Sequence, residues 1–266
     1  MVIVRSTELG KPAAPYIGGK RLLSKKIINC INHMPHRIYA EPFVGMGGVF
    51  LRRNLHPKME AINDINGDIT NFFRILQRHY SQFMEVISFQ ITSRQEFDRL
   101  SHTDPSTLTD LERAARFLYL QCLAFGGKVR GRTFGVSMGG ARFNLPRLTP
   151  LLGKIHARMA GVVIENLPWR SFIERYDRPD TLFYLDPPYW GHEEDYGKGV
   201  FSRDQFREMA DVLLHLKGRF ILSINDVAYV RDVFTEFQVE EVVINYSIGG
   251  ERNTSAKELI ITGRGS

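Results

Sequence analysis

Cysteine is scarce: Cys30 and Cys122 are the only two in 266 residues. Neither lies in a Cys-x-x-Cys or Cys/His pattern, which argues against a disulfide framework or a zinc site and favours a reducing compartment. The eight histidines fall at no metal-ligand spacing, so no metal is expected. Long apolar runs are missing as well; none approaches the roughly 18 residues that a membrane span requires. Met1-Val2-Ile3-Val4-Arg5 lacks the apolar region and small-residue cleavage site of a secretory leader. The expectation is a cytoplasmic chain with no membrane partner. One absence is local: no Asp or Glu occurs between Arg113 and Ile164. That stretch carries Arg113, Arg116, Lys128, Arg130, Arg132, Arg142, Arg147, Lys154 and Arg158. Nine positive charges against a chain total of +6 leave the remainder at −3. A single basic segment on an otherwise slightly acidic chain is the distribution expected of a nucleic-acid-binding face. On charge alone, a solvated basic surface with no partner reads the same.

What is present is enough for a sizeable core, with 43% hydrophobic residues, and the length suits one large domain or one carrying an insert. The periodicity alternates between strand and helix. Helices are expected at Ser24–Ile31, Val49–Arg53 and Gly67–His79, with strands at His36–Ala40 and Met59–Ile62. The middle reads as helical over Phe83–Leu100, Asp110–Leu123 and Leu148–Met159, with Thr109 and Asp110 as cap candidates. Between the last two of these, Gly126–Asn144 is rich in Gly and Arg and reads as loop. Alternation resumes with strands at Gly161–Glu165, Thr181–Leu185 and Arg219–Ile224, separated by helices at Trp169–Tyr176 and Arg203–Leu216. A helix at Val227–Phe234 and a final hairpin, Val239–Tyr246 with Glu258–Thr262, complete the pattern. The expected fold class is therefore α/β, a doubly wound core over residues 1–71 and 161–266 interrupted by a mainly helical insert over 72–160.

Two constellations carry chemistry. Gly45-x-Gly47-Gly48 follows a strand and opens a helix, where glycines permit a tight turn and close approach of a ligand to the backbone. The next strand ends in Asp64, placed to accept hydrogen bonds from ribose hydroxyls. The pair suggests a cofactor containing adenosine, and the missing third glycine of the dinucleotide fingerprint argues against NAD. A packing turn with Asp64 as a helix cap fits the same residues. The second constellation, Asp186-Pro187-Pro188-Tyr189, follows an apolar strand, at the end where open α/β sheets bind ligands. Two prolines remove two donors and stiffen the backbone. A carboxylate, a free carbonyl and an aromatic ring are then held in fixed relation. Those parts suit methylation of an amino group conjugated to a ring. Asp186 and the Pro187 carbonyl can accept both amino hydrogens, localising the nitrogen lone pair. Tyr189 can stack on a base turned out of the duplex.

Taken in order, Pro15-Tyr16-Ile17-Gly18-Gly19-Lys20, Glu41-Pro42-Phe43-Val44-Gly45-Met46-Gly47-Gly48, Asn63-Asp64-Ile65-Asn66, a basic insert and Asp186-Pro187-Pro188-Tyr189 resemble the Dam-type, alpha-group DNA adenine-N6 methyltransferases. The resemblance covers essentially the whole chain and extends to Ser223-Ile224-Asn225-Asp226 and Glu258-Leu259-Ile260-Ile261. It implies a Rossmann-like S-adenosylmethionine-dependent methyltransferase core with a target-recognition insert. S-Adenosyl-L-methionine would be the cofactor. Tyr16 would pack on it, Lys20 would pair with its carboxylate, Phe43 and Gly45 would line its methionine side, and Asp64 would hold the ribose. Ile65 and Asp186 would be further cofactor contacts, and Asp186, Pro187 and Tyr189 the catalytic set.

The chain departs from the family pattern at Asn166-Leu167-Pro168-Trp169, where Pro168 stands in the usual acidic place and Trp169 offers a stacking surface instead. The segment Phe134–Asn144 also differs from GATC-specific relatives, so no recognition sequence carries over. Lys128, Arg130 and Arg132 are expected on phosphates or guanine edges. Arg142, Phe143 and Asn144 are types suited to base contact and strand intrusion, and Arg142 and Asn144 are expected as DNA-binding residues. Double-stranded DNA is the expected partner, a cognate restriction endonuclease an optional second one, and the expected working state is a monomer.

Other functions remain open at this level. Cytosine C5 chemistry is disfavoured because neither Cys30 nor Cys122 follows a proline. Cytosine N4 methylation usually shows Ser in place of Asp186, and RNA or protein-amide methylation Asn. A catalytically inactive DNA-binding protein with a methyltransferase fold is the other alternative.

Overall fold

In a computed structural model of the chain, the described residues are 5–6, 10–129, 131–135, 140–193, 199–247 and 253–263. The first half runs β1 (Arg5–Ser6), α1 (Ser24–His33), β2 (Ile38–Glu41), β3 (Leu55–His56), β4 (Met59–Asn63) and α2 (Gly67–Arg78). Four further helices follow: α3 (Tyr80–Ser88), α4 (Arg94–His102), α5 (Asp110–Leu123) and α6 (Leu145–Arg158). The second half is β5 (Val163–Glu165), α7 (Trp169–Tyr176), β6 (Thr181–Leu185), α8 (Asp204–Leu214), β7 (Arg219–Asn225), α9 (Ala228–Val233), β8 (Gln238–Ser247) and β9 (Asn253–Thr262).

The main sheet has the order β5-β4-β2-β6-β7-β9-β8. The first five strands are parallel; β9 pairs antiparallel with β7, and β8 antiparallel with β9. From β2 the chain moves outward to β4 and β5, then returns to lay β6 on the other side of β2. The order therefore reverses between β2 and β6, and the loops after these two strands flank the switch point, where ligands bind in open α/β sheets.

Strand alternation assigns the two faces. On β6, Leu182 and Tyr184 join a core with Ile27, Ile31, Phe72, Phe73 and Phe117 from α1, α2 and α5. Phe183 and Leu185 join the opposite core with Phe172, Phe206, Met209 and Phe234 from α7, α8 and the turn after α9. The same alternation puts Tyr184, Ser223 of β7, and Glu258 and Ile260 of β9 on the first face.

Most expected elements form within a few residues of their expected bounds, with three physical differences. The expected helix Phe83–Leu100 is two helices: the chain leaves α3 after Ser88, and Ser93 restarts it by accepting from the Glu96 N–H at 3.0 Å. The expected helix Val49–Arg53 is a single 3-10 turn, Phe50–Arg52. Arg53 leaves that turn to pair with the buried Glu60 at 2.8 Å. Residue 72, expected to start the insert, lies inside α2, which runs unbroken from Gly67 to Arg78. Helices α2, α3 and α5 share one core with the sheet.

Candidate active site

The loop after β2 is shaped by Gly45 and Gly47, with φ of +50° and +75°. A Cβ on Gly45 would lie 3.1 Å from the Tyr16 ring. The turn is tied to the end of β4: the Gly45 N–H donates to Asp64 Oδ2 and the Asn66 N–H to Asp64 Oδ1, both at 2.9 Å. Asp64 is therefore not the cap of α2; that place belongs to Asn66, which accepts from the Asp68 N–H. Burial pushes the Asp64 carboxyl up to about 6. Two asparagines complete the frame. Asn63 donates to the Pro42 and Leu167 carbonyls and accepts from the Leu167 N–H. Asn166 donates to the carbonyls of Asp64 and Ile65 at 2.7 and 3.1 Å. The loops after β2, β4 and β5 are thereby fastened to one another.

These loops open on a cleft of about 1880 Å³. Tyr16, Lys20, Phe43, Gly45, Asp64, Ile65 and Asp186 all line it, so the sequence-derived cofactor set converges on one space. Ile65 is 47% exposed there, an apolar side chain held outward at the end of a strand. Pro168 and Trp169 of the departing segment line it too, with Trp169 mostly packed in the core. A tight glycine turn backed by an aromatic ring, an aspartate at the second strand end and exposed apolar surface are the parts that an adenosine-bearing cofactor requires, and the site fits one.

Asp186 follows β6 directly. Lys20 Nζ lies 2.8 Å from Asp186 Oδ1 and 3.6 Å from Glu258 Oε2. The same ammonium donates to Tyr189 Oη and sits over the Tyr189 ring. Ser223 Oγ reaches Asp186 Oδ1 at 3.2 Å and is itself bonded to Tyr184 Oη at 2.8 Å. Burial raises the Asp186 carboxyl to about 6, opposed by the Lys20 charge. Pro187 and Pro188 are buried. Beyond them, Asn225 grips Trp190 by both its N–H and its carbonyl, at 2.9 and 3.0 Å, fixing the exit of the tetrapeptide. Lys20 thus stands against the tetrapeptide, on Asp186 and Tyr189. Tyr189, expected to stack on a base, has its hydroxyl on Lys20, and its ring is absent from the cleft lining. Glu41, also in the cleft, accepts from Tyr39 Oη at 2.7 Å and is pushed up to about 8 by burial.

The basic segment divides. Arg158 is buried and bonded to Glu60 at 2.6 and 2.9 Å, and Arg113 pairs with Asp68 at 2.7 Å. Arg116, Arg132, Arg142 and Arg147 line the cleft. Arg132 is half-buried, donating to the Lys128 carbonyl and to Gln121 Oε1; Lys128 and Arg142 are exposed. Arg130 lies outside the described residues. Asn144 caps α6, accepting from the Arg147 N–H at 3.2 Å. Phe143 is not available for strand intrusion: it is buried against Tyr119, ring centroids 5.0 Å apart. The exposed aromatic of this region is Phe125, 59% accessible. Its turn is held by buried Gln121, which donates to the carbonyls of both Pro15 and Gly127 at 2.8 Å.

Residues 16–248 match the family model of the D12 class N6 adenine-specific DNA methyltransferases. The chain is 25% identical to a DNA adenine methylase of Haemophilus influenzae, covering 94% of this chain and 92% of that protein. It is also 25% identical to the Type II methyltransferase M1.LlaDCHI of Lactococcus lactis subsp. cremoris, over 96% of each. A third relative, the Type II methyltransferase M.CviBI of Paramecium bursaria Chlorella virus NC1A, is 19% identical over 92% of this chain. With this match over most of its length, and with the glycine turn, Asp64 and Asp186 gathered in one cleft, the chain belongs to the D12 class of N6 adenine-specific DNA methyltransferases.

Proposed function

We propose that the cleft binds S-adenosylmethionine and that Asp186, with the Pro187 carbonyl, holds the amino group of an adenine turned out of duplex DNA. The observation that carries this reading is the convergence of the cofactor-type residues and Asp186 on one cleft at the switch point, with four arginines of the acid-free segment along it. Tyr16, Phe43, Gly45, Asp64 and Ile65 would hold the cofactor, Asp64 through the ribose hydroxyls. When bound, S-adenosylmethionine supplies the methyl group as an electrophilic sulfonium.

The chain's own work is on the adenine amine, a poor nucleophile because its lone pair is delocalised into the ring. Accepting both amino hydrogens localises that pair on nitrogen. Both described contacts of Asp186, from Lys20 and Ser223, fall on Oδ1, which leaves Oδ2 for the amine. Stacking of Tyr189 on the base requires its ring to leave the Lys20 ammonium. Residues 72–160 would read the target, with Lys128, Arg130 and Arg132 on the backbone and Arg142 nearer the bases. Asn144 would act there through the α6 terminus it caps. Exposed Phe125 presents an apolar face beside these charges, suited to base contact. The chain would act on duplex DNA as a monomer.

The test is Asp186→Ala. Methyl transfer to duplex DNA should fall by at least about 10²-fold, the scale of losing a preorganised electrostatic contact to the reacting group. DNA affinity should stay near wild type. Equal loss of DNA binding would assign Asp186 a structural part and sink the catalytic assignment.

A further inference from the structure

We infer that Glu258 is a positioning residue for methyl transfer: it holds the Lys20 ammonium off-centre from Asp186 and so keeps Asp186 free to take the target amine. The inference rests on the functional reading above.

Glu258 is distant from the tetrapeptide in sequence and belongs to the antiparallel part of the sheet. Its register pairs it with Asn225, the residue that grips Trp190. Alternation along β9 turns Glu258 to the same face as Ile260, the face where Tyr184 and Ser223 also stand. Lys20 arrives over that face from the N-terminal segment. Both side chains are 3% exposed, and a buried carboxylate on a hydrogen-bonded strand is costly unless a partner meets it. The partners here belong to the proposed site itself: Lys20 Nζ lies 3.6 Å from Glu258 Oε2, and the same ammonium donates to Tyr189 Oη. One buried ammonium is thus shared by two carboxylates, at 2.8 Å from Asp186 and 3.6 Å from Glu258.

Sharing matters because Lys20 competes with the amine for Asp186. With Glu258 charged, part of the ammonium's attraction is spent away from Asp186. Without that charge, more of the ammonium's attraction falls on Asp186 and makes it a weaker acceptor. The charged and titratable groups acting on Asp186 are Lys20 from the N-terminal segment, Glu258 from β9, Tyr184 from β6, Tyr189 and, from β2, Glu41. Among these, Glu258 raises and Lys20 lowers the Asp186 carboxyl. Loss of the Glu258 charge therefore moves Asp186 to lower pH.

The experiment is kcat against pH for full-length wild type, Glu258→Gln and Glu258→Asp on duplex DNA, with binding of S-adenosylmethionine measured separately. Gln keeps the shape and removes the charge. The expected result is a kcat lower by about tenfold, an acid limb moved down by about one pH unit, and unchanged cofactor affinity. Asp keeps the charge and should keep the wild-type limb. A wild-type limb and rate in Glu258→Gln, a shifted limb in Glu258→Asp, or a loss confined to folded yield or cofactor binding would each overturn it. Wild type without transfer activity would overturn the functional reading too, whereas active wild type beside an unaffected Gln variant overturns this inference alone.

Discussion

Burial drives Asp64 and Asp186 in the same direction, each up to about 6 from 3.8. Their folded forms hold protons more tightly than the unfolded chain does. The stability they contribute is thus greatest below about pH 4 and is lost as pH rises through 6. The proposed function favours the opposite, since an ionised carboxyl is the stronger acceptor for the hydrogens of an amine or a ribose. We expect transfer to rise with pH through about 6. Below that value, cofactor affinity should weaken through Asp64 and kcat should fall through Asp186; binding titrations and single-turnover rates across pH 5–8 separate the two. An acid limb below pH 5 in both would show that neither carboxyl is raised. Asp64, Asp186 and Gly45 were legible in the sequence because their types recur in a fixed order around strand ends. Their supports were less so. Asn63 and Asn166 act on loops about a hundred residues away, and Lys20 meets Asp186 across 166 positions, contacts that no local pattern encodes. The one signal was polarity in the wrong place: Ser223 interrupts the apolar run of β7, and Glu258 stands directly before the apolar end of β9.

At the scale of elements, caps settled what periodicity left ambiguous. Apolar spacing alone runs Phe83–Leu100 together, whereas Ser93 divides it into α3 and α4. Helix α5 has the clearest start, a reciprocal capping box between Thr109 and Glu112. Thr109→Ala should cost about 1 kcal/mol of unfolding free energy, read from chemical denaturation, with transfer activity retained. No change in stability would mean that the packing of α5 on α2 alone holds the helix end. The basic segment shows the limit of reading charge along a chain. Arg158 and Arg113 are counted in the same acid-free run as Arg132 and Arg142. Yet Glu60, upstream of the run, takes Arg158 inward, and Asp68, also upstream, pairs with Arg113. Likewise Phe143 and Phe125 are indistinguishable by type, and only packing against Tyr119 buries the former.

For the whole molecule, the strand order could be anticipated only as a class. The alternation implied a doubly wound sheet, while the position of β6 beside β2 comes from tertiary packing and creates the switch point that brings residues 16–20, 41–48, 64–65 and 186–189 together. The charge asymmetry gives a second global expectation. DNA affinity should fall steeply with salt, and Lys128→Ala should lower affinity on all sequences and flatten the log–log slope by about one. An unchanged slope would remove Lys128 from the backbone contacts. The most direct measurement is the identity of the modified base. Purified protein is incubated with duplex DNA and S-adenosylmethionine labelled in its methyl group, and the DNA is digested to nucleosides. The label should appear in N6-methyladenine; label in N4-methylcytosine, or none at all where cofactor binding is demonstrated, would contradict the assignment of Asp186-Pro187-Pro188-Tyr189 as the site of adenine methylation.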